Sequence, residues 1–390
     1  MSLPLMLSPL HFLSTLRSRR LWQLAVASLV CLFTASVRAD PRIAAGDLHS
    51  VCARADGTVW TWGQNLYGQL GDGTNNSRDV PAQVPGLTGI KAVSAGRDFT
   101  VALKTDGTVW AWGYNIYGQL GDGTTVSRNA PAQVKGIANA TAIACGGVYA
   151  MALLGNGNIM AWGDNSYGQL GDGSNIDRAQ PVTVHGLTSV IAIAAGLAHS
   201  LAIDKNGAVW SWGKNVDGQL GDGTLDARSV PAKVNGINGG IAVAAGWGHS
   251  LAVDNAGNVW AWGGNGTGAL GDGTHERRAT PFQVGGLTGA IAVSAGNWHS
   301  LALAKDGTVW AWGNNGAGQL GDGTGAEQDR PELLKGLAGA VEIAAGNWHS
   351  LVEKRDGTIW AWGLNAVGQL GDKSIVTRNA PVQVVALPKN

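Results

Sequence analysis

Cysteine is nearly missing from this chain: there are three in 390 residues, and Cys31 falls inside an N-terminal apolar run. The other two, Cys52 and Cys145, stand where corresponding positions elsewhere read Ala202 and Ala195. They are expected to be small buried side chains and not a disulfide, because the segments holding them should not touch. Charge is scarce too, at 14 % of residues, and balances to zero. Without a basic surplus the chain lacks the electrostatic footprint of a nucleic-acid binder. No segment reads as an amphipathic helix, which argues against an all-helical repeat.

Glycine and tryptophan are in excess, at 60 and 17 residues, and a repeat explains both. Trp312-Gly313 recurs every 50 residues, at Trp62, Trp112, Trp162, Trp212, Trp262 and Trp362, giving seven copies without slippage. The sixth copy shows the local grammar. Ile291, Val293 and Ala295 alternate and Gly296 ends the run, which predicts a first strand. His299 to Leu303 reads as a second, and Asp306-Gly307 as a tight type I′ hairpin turn. Thr308 to Trp312 is a third strand with both tryptophans on one face. After a long Gly/Asn/Asp-rich connection, Pro331 to Leu334 gives an edge-like fourth strand, since proline cannot donate to a central ladder.

One such sheet cannot bury both faces alone. Seven packed radially can, so the fold class expected is all-β: a seven-bladed β-propeller with four antiparallel strands per blade and a 50-residue repeat. Kelch and Trp-Asp repeats have related periods, but the ending here is Trp-Gly. Residues 1–39 stand outside the repeat. Arg17, Arg19 and Arg20 precede an apolar run from Leu21 to Val37, and Ala39 closes it. That order describes a secretory signal peptide cleaved after Ala39, with residues 40–390 as the propeller and an exported location (periplasm, medium or cell surface). The alternative is an uncleaved anchor, although the run is short against the ~20 residues of a membrane span. The leader holds four of the 27 Lys+Arg and none of the 27 Asp+Glu, so its removal leaves a formal charge of −4.

The motifs A-A-G-x-x-H-S-L-A, D-G-x-V-W-A-W-G and N-x-x-G-Q-L-G-D resemble the regulator-of-chromosome-condensation repeat family across residues 41–385. The resemblance implies a seven-bladed propeller. The family's eukaryotic namesake is a nuclear guanine-nucleotide exchange factor that also binds chromatin, and other members are exported bacterial propellers that bind and inhibit β-lactamases. Fold carries over more firmly than activity. Against exchange activity stand the export signal, the lack of a basic tail, and a uniform period that leaves no room for an inserted wedge.

The repeated polar residues read as framework. His49, His199, His249, His299 and His349 have Phe99 and Tyr149 as counterparts, so the position suits a packed ring and not a metal ligand or catalyst. Asp72, Asp122, Asp172, Asp222, Asp272, Asp322 and Asp372 read as turn formers, six of them with an arginine six residues on. No cofactor or metal is expected, and no enzyme activity, because no unrepeated polar constellation exists. The variable positions are more telling. The first-to-second and third-to-fourth connections should share one face. There Trp247, Trp298 and Trp348 occupy positions that other copies fill with Asp, Ala or Gly, and Tyr67, Tyr114, Tyr117 and Tyr167 come from the long connection. Rigid aromatics on the loops of a stiff scaffold predict a partner-binding face. The partner expected is a protein, with a glycan as the alternative, and the propeller itself is expected to be a monomer.

Overall fold

The computed structural model describes residues 42–385 and Leu387. The leader assigned to residues 1–39 lies outside the described residues. Seven four-stranded antiparallel sheets follow one another, each built from four consecutive strands. In the sixth these are Ala290–Ala295, His299–Ala304, Val309–Gly313 and Gln328–Leu333. Blade seven packs back on blade one, so the ring closes with no strand exchanged between them.

Two local expectations need correction. The fourth strand begins at Gln328, three residues before Pro331. Pairing runs Gly313↔Gln328, then Ala311↔Glu332, and the register shifts between them. Pro331 sits in that irregular stretch of an outer strand, where no ladder donor is required. The hairpin turn is not type I′, which needs positive φ at both central residues. In blade six Gly307 has φ 84° whereas Lys305 and Asp306 do not turn positive, and Gly307 N donates to Ala304 O at 2.9 Å. That is a type I turn followed by a left-handed glycine. The Asp306 carboxylate accepts from Thr308 N at 3.0 Å and holds the turn.

The core lies between blades. Trp62, Trp112, Trp162, Trp212, Trp262, Trp312 and Trp362 are all fully buried, each among side chains of the preceding blade. Trp312, for example, packs on Leu251, Val259 and Leu270 of blade five. Its indole N–H donates to Ala269 O at 2.8 Å, so burial leaves no polar atom unpaired. Gly271 makes room for it: φ is +75° and a Cβ there would stand 2.9 Å from the indole nitrogen.

The seam between blades seven and one differs from the other six. Arg54 and Glu353 are both buried, at 4 % and 3 % exposure, where blade six has Ala304 and Leu303. Glu342 Oε1 accepts from Arg42 N at 2.8 Å and Ile43 N at 3.1 Å, tying the first strand to the last blade. All three charged groups act on the Cys52 thiol, which burial pushes up to about 12. Cys52 and Cys145 are both free.

Candidate functional site

The histidines form links across blade boundaries. Ser250 Oγ donates to Gln219 O at 2.8 Å, so its lone pairs receive the N–H of His199, whose Nε2 lies 2.9 Å away. The same link runs from His249 to Ser300 at 3.1 Å, His299 to Ser350 at 3.0 Å and His349 to Ser50 at 2.9 Å. His49 meets Thr100 at 3.0 Å, and the Tyr149 hydroxyl lies 2.9 Å from Ser200 Oγ. Phe99 has nothing to donate, and the residue facing it from the next blade is Ala150 instead of serine. Donor and hydroxyl partner are thus lost together. Burial holds the imidazoles of His49, His199, His299 and His349 down to about 3 and that of His249 to about 4, as neutral Nε2–H tautomers.

The aspartate ring closes the long connections. Asp122 Oδ1 accepts from Thr124 N at 2.9 Å while Oδ2 takes Arg128 Nε at 2.6 Å. Asp172, Asp272 and Asp372 pair likewise with Arg178, Arg278 and Arg378 at 2.8, 2.6 and 2.9 Å, and Asp72 and Asp222 with Arg78 and Arg228. In blade six Gln328 reaches Asp322 at 3.3 Å instead. Among the described residues no group of three or more His, Cys, Asp or Glu could hold a metal ion.

Both kinds of connection named above emerge at one end of the disc, which we call the loop face. A cavity of about 350 Å³ opens at its centre, walled by Asp47, Arg97, Gly147, Leu197, Trp247 and Asn297, with Trp298 and Trp348 reaching over the rim. The structure brings Trp247 and Trp298 together, ring centroids 5.5 Å apart and planes 24° from parallel. All three tryptophans are half-buried. The tyrosines form a second group on the far side. Tyr67 packs on Tyr114 at 4.6 Å, Tyr117 is exposed at its loop tip, and Lys214 Nζ stands 5.7 Å from the ring of Tyr167.

Sequence reasoning passed over the charged half of this rim. Arg97 Nε lies 3.6 Å from Asp47 Oδ2 and 3.7 Å from Asp98 Oδ2. Burial, reinforced by the Asp47 charge and only partly offset by Arg97, pushes Asp98 up to about 6. Burial raises Asp47 as well, against a hydrogen bond from Asn347 and the Arg97 charge. These residues occupy the same variable positions as the tryptophans, and that variability was the available signal.

Fold and site together define a closed seven-bladed propeller with a regular framework and one irregular, aromatic loop face. The chain belongs to the RCC1-like domain family, whose model matches residues 177–390. The regulator of chromosome condensation (RCC1) repeat also matches residues 56–103 and 106–153. Human WBSCR16 superimposes with a TM-score of 0.77 at 24 % identity, covering 85 % of this chain and 94 % of that one. Prp20p of Saccharomyces cerevisiae, described with its binding properties to Gsp1p and histones, gives 0.75 at 22 %, covering 86 % and 87 %. At these identities the likeness is one of fold. A 49-residue stretch is 55 % identical to the human E3 ubiquitin-protein ligase HERC2, covering 13 % of this chain and 1 % of that protein. The chain thus matches only a small part of that curated relative's length.

Proposed function

We propose that this protein is an exported, non-catalytic propeller that binds another protein through its loop face. The observation carrying this reading is the partly exposed cluster of Trp247, Trp298 and Trp348, where the framework accepts Gly147 or Leu197 in place of the first and Ala198 or Gly248 in place of the other two. Large apolar surface left open on a rigid frame is an anchor for a partner, and binding it freezes little backbone. Prp20p is described binding Gsp1p, and yeast RCC1 has been solved bound to Kap60; both partners are proteins, which supports the reading. Nucleotide exchange by analogy to the family namesake is weaker, since it would require a wedge that the equal repeats lack. Export rests on the leader pattern alone.

The test is affinity capture from the extracytoplasmic fraction of the source cells. Trp298→Ala and Trp348→Ala are each expected to weaken capture at least about 30-fold, the loss typical of a hot spot. Because both rings are half-buried and reach no framework carbonyl in the way Trp312 does, unfolding free energy should change by less than about 1 kcal/mol. A large loss of stability would make them core residues and end the proposal. Glycan binding is the second reading, because an open pair of near-parallel indoles also suits a sugar face. A glycan array that stays blank removes it.

A further inference from the structure

Beyond its aromatics, the loop face has a sign of charge. Leaving aside the aspartate ring, the connections at that end carry eight carboxylates, among them Asp47, Asp98, Asp164, Asp177 and Asp217, against four cations, Arg97, Lys214, Arg277 and Lys373. Arg97 is already shared between two carboxylates. Asp217 is the carboxylate best placed to use this acidic surplus. It lies over Gly248 and Gly264 of the next blade, and a Cβ on Gly248 would stand 2.9 Å from Asp217 Oδ2. The glycine at 248 therefore leaves room for the Asp217 carboxylate against the residue that follows Trp247 in the chain, and the Trp247 ring is stacked on Trp298. Thr267 Oγ1 donates to Trp298 O at 3.0 Å and fixes that segment of the wall.

Resting on the reading of this face as a protein-binding surface, we propose that its partner presents a basic side chain, lysine or arginine, that seats on the Trp247–Trp298 stack with its charge toward Asp217. A cation is drawn to an indole face and to a carboxylate alike, and a long aliphatic stem covers apolar ring surface while its head stays hydrated. Complementary charge around the rim then steers the encounter and fixes orientation.

The probes are N-acetyl-arginine methylamide and its neutral isostere N-acetyl-citrulline methylamide. Each is titrated into the full-length protein while the indole N–H resonances of Trp247 and Trp298 are followed. The arginine compound is expected to give a saturable shift at both resonances, and the citrulline compound none. Asp217→Asn should weaken the arginine response roughly threefold to fivefold, as one exposed charge contact would, with the melting temperature unchanged. Equal responses to both probes, no saturable response, or an unaltered Asp217→Asn would each overturn the proposal. A stronger shift from chitohexaose would replace the cation with a sugar. If Trp298→Ala still abolishes protein capture while the arginine probe fails, the binding face stands and only the basic side chain is withdrawn.

Discussion

Stability is expected to fall steeply as the solution is taken from pH 7 to pH 5, long before most carboxylates titrate. Five histidines are buried neutral, with Nε2–H given to a serine or threonine of the next blade and pKa values held down to about 3 or 4. In the unfolded chain each returns to about 6.5. The unfolded state therefore binds more protons below that value. The stabilisation is complete above about pH 6.5 and is lost as the pH falls toward the folded values. At pH 5 each histidine forfeits about 2 kcal/mol, and five together rival the roughly 5–15 kcal/mol that holds a typical domain folded. Asp98 and Asp47, whose values are raised, act in the opposite sense but are outnumbered.

Urea denaturation at stepped pH measures this directly. The chain also supplies a control. Phe99 facing Ala150 shows that the framework accepts a link without histidine or serine. Transplanting that pair as His249→Phe with Ser300→Ala should remove about one-fifth of the pH dependence. The carbonyl of Ala269, which Ser300 bonds, keeps the indole N–H of Trp312. Flat stability between pH 7 and 5, or a slope indifferent to the transplant, would sink the assignment.

Arg54→Met is expected to cost about 3–5 kcal/mol, the loss typical when one partner of a buried charge pair is removed. It would remove the cation from the three charged groups that act on Cys52, leaving Glu353, at 3 % exposure, and Glu342. The double change Arg54→Leu with Glu353→Leu, using residues that blade three carries as Leu154 and Leu153, should recover more than half of that loss. A single variant within about 1 kcal/mol of the parent would show that the charges contribute nothing. We hypothesise that the charges serve specificity. Every other seam joins blades that are consecutive in the chain, whereas blade seven must choose blade one over the first blade of another molecule. A double variant that is stable yet runs as oligomers in size-exclusion chromatography would support this, and one that stays monomeric would refute it.

The 50-residue period, the seven tryptophans and the end of the disc from which each loop emerges were legible in the sequence. Each is set by contacts within one copy or between consecutive copies, and repetition displays such contacts seven times. The turn chemistry was misread at Asp306-Gly307 because an Asp-Gly pair suits two hairpin geometries, and loop length decides between them. Pro331 was read as the start of its strand because an irregular register cannot be seen without the partner strand. Four features belong to the tertiary structure alone: the shared change of Phe99 and Ala150, the Arg54–Glu353 seam, the Trp247–Trp298 stack, and Asp217 over Gly248. Each joins residues on different blades whose meeting depends on side-chain reach and, at the seam, on closure of the ring. A one-dimensional pattern records what is repeated, whereas these contacts are made by what is not.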